Sequence, residues 1–277
     1  MKNLLTALSF LIVTTASVAQ DSTAQVQRTA GSPYTTRFWT DGPILVGSIG
    51  LTALGTKLVA NKKDLTLAEL AAINKSDIPA FDRGNAGYYS EKADDISYLP
   101  FWGSFALPVV TALIDKDQRK NFGQVMVMYT ETMAITGALF TITAGTVNRP
   151  RPLVYNDKVD TKIRTSNNNQ RSFFAGHTAA TAAATFFWAK VFADFHPDSK
   201  AKPFVWAAAA VVPAVVGYYR YEAGMHFLSD NLLGYAIGAG VGILVPHLHK
   251  KKVLNNKVSL SPQYGMDYKG LALRYKL

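Results

Sequence analysis

His226 and Asp230 are spaced so that a helix would set them one turn apart on the same face. A carboxylate in that position accepts the proton of one imidazole nitrogen and leaves the other free to act as a nucleophile. Arg220, a little upstream, is placed to hold an anion near that nitrogen. Two other clusters carry the same residue types. In Arg149-Pro150-Arg151-Pro152 the prolines stop a helix and splay two guanidinium forks suited to phosphate oxygens. In Arg171 to His177, Gly176 lets the backbone approach a bound group, amides at a helix start face an anion, and His177 can protonate a leaving oxygen. Each cluster alone has a plainer reading, as a satisfied polar pair or as positive charge at a membrane boundary. Together they make a phosphoryl-transfer layout, with an anion among arginines between a nucleophilic and a proton-donating histidine.

These clusters sit at the ends of long apolar runs. The runs are Tyr98–Ile114, Gln124–Val147, Phe173–Phe192, Pro203–Val216 and Asn231–Val245, with Pro43–Ala60 a weaker spanning candidate interrupted by Lys57. None alternates like a strand, so the expected fold is all-α, a membrane-embedded bundle of five or six core helices. Small residues along Thr178–Thr185 and Gly234–Gly242 allow close helix approach. Val258–Ser261 and Gly270–Tyr275 alternate, which predicts a short β-like tail. Residues 1–20 read as a secretory signal, with Lys2, an apolar core and a small-residue cleavage site at Ser17-Val18-Ala19. The expected division is a signal at 1–20, an N-terminal arm and peripheral region at 21–97, the catalytic bundle at 98–249 and a tail at 250–277.

Composition narrows the partners. The 277 residues carry a formal charge of +10 and no cysteine, which excludes disulfides and thiolate sites. Hydrophobic residues make up 48%, yet the mean hydropathy is only +0.06, so a soluble exported protein remains a second expectation. No basic stripe with interleaved aromatics appears, so nucleic acid is not expected as a partner; anionic lipid or phosphate is. Glu131 interrupts an apolar run, and a membrane-embedded carboxylate is functional by default, although pairing with a neighbouring hydroxyl is the simpler expectation. His247 and His249 beside three lysines read as a headgroup-facing boundary, since two ligands do not make a metal site.

The three clusters resemble the type 2 phosphatidic acid phosphatase superfamily, which includes vanadium haloperoxidases and bacterial acid phosphatases. Its pattern is a lysine, six residues and Arg-Pro; then Pro-Ser-Gly-His; then Ser-Arg, five residues, His, three residues, Asp. Arg151-Pro152, Gly176-His177 and the set Arg220, His226 and Asp230 match in order and spacing, over roughly Tyr98 to Val245. The resemblance implies that His226 forms a phosphohistidine, oriented by Asp230. It makes His177 the general acid, has Arg151 and Arg220 clamp phosphate, and requires no metal or other cofactor. The sequence departs from the pattern at Ala144 (for lysine), Phe174 and Ala175 (for Pro-Ser) and Tyr219 (for serine). Arg149 or Arg171 is the expected replacement for the missing cation.

The expected function is therefore hydrolysis of a phosphomonoester or diphosphate on a membrane lipid, such as phosphatidic acid, a polyprenyl diphosphate or lipid A. A catalytically weakened relative that binds anionic headgroups is the alternative. The basic boundary at His249–Lys252 places the C-terminus inside and all three clusters outside, on the periplasmic face of a bacterial envelope. That agrees with a cleaved signal only if Pro43–Ala60 does not cross the membrane, which leaves about five spans.

Overall fold

The computed structural model describes residues 31–251 in full and the backbone of residues 258–264 and 269–275. The expected signal at 1–20 lies outside the described residues. Six long helices carry the fold, numbered here in chain order: α1 (Phe38–Ala60), α2 (Glu91–Ile114), α3 (Phe122–Thr146), α4 (Gly176–Phe195), α5 (Lys202–Glu222) and α6 (Leu228–His249). Their ends follow local chemistry. Ser90 caps α2 by accepting from the Ala93 amide, so that helix starts before Tyr98 and carries Asp94 and Ser97 in its first turns. Val147 is extended after α3, Pro150 bars the α-helix from continuing, and Pro152 opens a short 3₁₀ turn, Pro152–Tyr155. Pro203 sits at the start of α5, where its missing N–H costs nothing.

The helices alternate in direction. At one end meet the start of α2, the end of α3, the start of α4, the end of α5 and the start of α6. Lys62, just past α1, donates to the Val147 carbonyl after α3 at 2.6 Å, so α1 also ends there. The opposite end is tied by the Thr35 amide to the His249 carbonyl (2.8 Å), Tyr34 to Asp194 (2.8 Å) and His196 to Asp115 (2.7 Å). Around this second end lies the main apolar core, with Met128, Tyr129, Phe187, Val191 and Val245 packed together.

α4 is the central helix and touches α2, α3, α5 and α6. Its alanines and threonines are almost all buried. On α6, Gly234, Gly238 and Gly242 recur every fourth residue and lie directly against the carbonyls of Ala175, Ala179 and Ala183 on α4. A Cβ on Gly234 would sit 2.5 Å from the Ala175 oxygen, so the two backbones meet only because these positions lack side chains.

Five helices are long and apolar enough to cross a membrane: α1, α2, α3, α5 and α6. Val46, Leu54, Val110, Val211 and Leu244 project from them, a lipid-facing rather than water-facing outline. Five is also the number of spans expected from the sequence, but the set differs, and α4 is a sixth helix that runs between the same two ends. α4 falls outside the set because its neighbours shield it from lipid, so it needs small residues rather than large apolar ones. α1 falls inside it. α1 packs along α3 so closely that a Cβ on Gly55 would lie 2.5 Å from the Ile142 amide, and one on Gly145 would lie 2.6 Å from Leu58. The expectation that Pro43–Ala60 does not span is therefore corrected. It is a 23-residue apolar helix running the depth of the bundle. In the tail, Val258–Tyr264 and Lys269–Tyr275 pair antiparallel, Val258 opposite Tyr275.

Candidate active site

The loops that follow α3 and precede α4 are held side by side. The Arg149 amide donates to Gln170, the Arg151 amide to Asn169, and the Ser172 amide to the Arg149 carbonyl, each at 2.8–2.9 Å. A third loop, Ala223–Phe227, joins α5 to α6. Gly224 there has φ +70° and packs directly on the Tyr88 carbonyl, a conformation and a closeness that a side chain would prevent. Asn85 locks the same loop by donating to the Tyr221 (3.0 Å) and His226 (2.9 Å) carbonyls. The three clusters read from the sequence converge at this end of the bundle.

His226 is buried and lies just before α6, not in it. Its Nδ1 pairs with the Ser172 carbonyl at 2.6 Å. With Nδ1–H donating to that carbonyl, Nε2 keeps its lone pair. The expected His226–Asp230 bond is not made, which is a correction. The Asp230 carboxylate instead accepts from the Phe227 amide (2.9 Å), the Ser172 hydroxyl (2.6 Å) and Arg149. The physical reason is position: Asp230 lies in the first turn of α6, where the free helix amide competes for it. Asp230 thus acts on His226 at one remove, fixing Ser172 and the turn that carries the imidazole. Burial, and then the charges of Arg151 and Arg220, hold His226 well below the usual imidazole range.

Arg149 also departs from expectation. Its guanidinium donates to Asp82 (2.6 Å), Ser229 (3.0 Å) and Asp230, and its carbon lies 4.7 Å from the centre of the Phe227 ring. Asp82 in turn accepts from the Ser229 amide and hydroxyl. Although burial pushes the Asp82 carboxyl up, these bonds hold it below its ordinary value. Arg149 is thus committed to two carboxylates and is not free for phosphate.

Arg151 is the opposite case. It is 8% exposed, and among the described residues it has no carboxylate partner. Its Nη1 reaches Met225 Sδ (3.0 Å) and, at the limit of a hydrogen bond, Asn169 (3.5 Å), while Nε has no partner among the described residues. Burial, Arg220 and Arg171 push it down to about 9, so it stays charged at neutral pH. Arg220 pairs with Asp94 and lies 3.4 Å from Ser97, with its buried Nε free. Burial likewise lowers Arg171, whose Nε is also buried and unpartnered. The charges of Arg220, Arg151 and Arg171 all reach the His177 ring. Three guanidiniums and two imidazoles thus gather around one spot, with Asp94 the carboxylate among them.

His177 stands at the start of α4 and makes no hydrogen bond to a described residue; its ring lies against Tyr98 and Phe101, with centroids 5.4 and 4.4 Å away. Gly176 has a different use from the expected one. A Cβ there would meet the Phe140 ring at 2.6 Å, so the missing side chain makes room for Phe140 rather than for a ligand. No side chain caps α4, and its first amides remain available to an anion. Ala144 is fully buried in α3, and of the two proposed substitutes for the missing lysine only Arg171 joins the cluster. Sequence reasoning missed Asp82, Asn85 and Asp94. All three lie in the stretch assigned to a peripheral region, and no spacing rule ties them to His226.

The fold and this site define a membrane-type helical bundle with a cationic, histidine-bearing anion site at one end. Residues 126–254 match the sequence model of the PAP2 superfamily. The match spans α3 to α6 and all three motif blocks. Among solved structures the chain is similar to a transmembrane PAP2 type phosphatidylglycerolphosphate phosphatase from Bacillus subtilis. The identity is 16% and the TM-score 0.37, over 78% of this chain and 98% of that chain. No curated protein matches the chain.

Proposed function

We propose that this protein hydrolyses a phosphomonoester or diphosphate of a membrane lipid through a phosphohistidine on His226. The observation that carries the reading is Arg151, a buried guanidinium with no carboxylate, beside two other guanidiniums and two imidazoles. Such a group is costly unless an anion completes it. In the first step His226 Nε2 attacks phosphorus. The P–O bond to the lipid breaks as the N–P bond forms, and His177 gives its proton to the departing oxygen. Arg151, Arg171, Arg220 and the first amides of α4 hold the non-bridging oxygens. In the second step water attacks phosphorus, His177 takes back a proton, and the N–P bond breaks to release phosphate. Ser172 and Asp230 hold the imidazole in the attacking tautomer.

A lipid substrate fits the surroundings of His177. Tyr98 and Phe101 line it, while Leu99 and Trp102, on another face of α2, are exposed, Leu99 by 82%. An acyl or prenyl chain lying along that face would bring its phosphate to the cluster from the bilayer. Phosphate release from phosphatidic acid, a polyprenyl diphosphate, lipid A and a soluble ester tests the reading. Release from a lipid substrate that His226→Ala abolishes supports it. Binding of lipid phosphate without release by the wild type would favour a headgroup-binding role instead.

The active site is proposed to face the periplasm of a bacterial envelope. The short connections at the opposite end carry Lys116, Arg119, Lys120, Lys200, Lys202, Lys250 and Lys251, the dense basic pattern of a cytoplasmic face. With α1 crossing, this orientation puts Tyr34 on the cytoplasmic side. The chain has no cysteine, so single substitutions report sidedness directly. Asn168→Cys should react with an impermeant maleimide in intact spheroplasts and Lys200→Cys should not; the reverse pattern would place the site in the cytoplasm.

A further inference from the structure

At the end of the bundle away from the phosphate site, three side chains from three helices meet. Asp41 comes from the start of α1, Glu131 from within α3 and His249 from the last residue of α6. Asp41 and Glu131 are buried, and His249 is nearly so. His249 Nε2 lies 3.3 Å from Asp41 Oδ1 and 3.3 Å from Glu131 Oε2, and the donor atoms all lie within 4.8 Å of one another. We propose that Asp41, Glu131 and His249 form a zinc-binding site that ties α1 and α6 to α3.

Two observations separate this from an ordinary buried polar triad. First, the contacts are not hydrogen bonds. At 3.3 Å they exceed the usual N–H···O range, and Glu131 Oε2, on a residue 3% exposed, has no hydrogen-bond partner among the described residues. Donors bound tetrahedrally to zinc at about 2.0–2.1 Å are separated by roughly 3.3–3.4 Å. Second, the outer contacts already orient the donors. His249 Nδ1 lies 2.8 Å from the Val245 carbonyl, which makes it the protonated nitrogen and turns the lone pair of Nε2 towards the two carboxylates. The other Asp41 oxygen accepts from the Arg37 amide at 2.7 Å. An Nε2 lone pair set against two carboxylate oxygens needs a positive charge between them, which a bound zinc ion supplies in place of a second proton on the imidazole. One nitrogen and two oxygens suit zinc better than calcium or magnesium, which prefer oxygen alone. The fourth position is left for water.

The test uses the full chain in detergent with a tag other than polyhistidine, stripped with EDTA and dialysed against zinc. The wild type and His247→Ala, whose side chain is exposed at the same helix end, should each retain about one equivalent of zinc. Glu131→Gln and His249→Ala should fall to background, and magnesium or calcium should not replace zinc. In the wild type zinc should raise the apparent unfolding midpoint; in Glu131→Gln it should not. Zinc content in the wild type no higher than in Glu131→Gln, or a wild-type midpoint indifferent to zinc and EDTA, would overturn the proposal. The wild-type comparison decides even if both variants fail to fold.

Discussion

Replacing Arg151 with methionine should make the protein more stable and nearly inactive. The side chain it removes is a buried guanidinium whose contacts are a sulfur at 3.0 Å and an amide oxygen at 3.5 Å. Neutral contacts of that kind contribute about 0.5–1.5 kcal/mol each at best. Methionine refills most of the aliphatic volume. Against the loss stands the relief of placing one fewer buried charge beside Arg220 and Arg171. Replacing buried charged groups by apolar ones of similar volume is often neutral or stabilising by about 1–4 kcal/mol. We expect a net gain of about 1 kcal/mol, or roughly 2–4 °C in unfolding midpoint. Activity should move the other way. A donor aimed at charge that develops in the transition state is worth about 2.7–4 kcal/mol, so kcat/KM should fall about 10²–10³-fold. Thermal unfolding with and without inorganic phosphate gives a second reading, because phosphate should stabilise the wild type and leave Arg151→Met unmoved. A variant that melts several degrees lower and keeps its kcat/KM would refute the argument, since Arg151 would then be a structural residue.

Arg149→Met should show the reverse pattern: it strips a partner from the buried Asp82 and Asp230 together, so stability should fall by about 3–5 kcal/mol in denaturant or thermal unfolding. Unchanged stability with lost phosphate affinity would return Arg149 to the substrate. His226 is held below its ordinary value of 6.5, so the unfolded chain binds its proton first as pH falls. Its contribution to stability is therefore complete above that pH and is lost below it at up to about 1.4 kcal/mol per pH unit. The unfolding midpoint of the wild type should drop more steeply than that of His226→Gln between pH 6.5 and 5; parallel curves would contradict the assignment. Gly238→Ala sets a Cβ against the Ala179 carbonyl and should abolish folding or lower the midpoint sharply, whereas Gly240→Ala meets nothing within 4 Å and should be neutral or slightly stabilising. Equal effects at the two positions would mean that α4 and α6 do not cross as closely as described.

What was legible in the sequence divides along physical lines. Helix positions followed from apolar runs, and the close contact of α4 with α6 followed from their small residues. Convergence of the three clusters followed from their places at helix ends. The pairings within the site did not follow. Spacing put Asp230 one turn from His226, yet helix capping and Ser172 take that carboxylate, and the start of α6 two residues beyond His226 is what decides it. Arg149 and Arg151 are two residues apart, and each is followed by a proline. Only the arrival of Asp82 from a distant loop makes one structural and leaves the other bare.

The same contrast separates the two ends of the bundle. At one end three guanidiniums and two histidines gather with Asp94 beside them; at the other a histidine faces two carboxylates. Both arrangements draw on α3 and α6, joined by α4 and α5 at the first and by α1 at the second. Buried like charges of either sign weaken the empty protein, so each end gains stability from a ligand of opposite charge. Phosphate should stabilise the first and zinc the second. Because Glu131 lies within α3 and Arg151 in the loop beyond the end of that helix, neutralising one should leave the response at the other intact. A variant that lost both responses together would mean that the helices rearrange, and that neither end is the independent site its geometry describes.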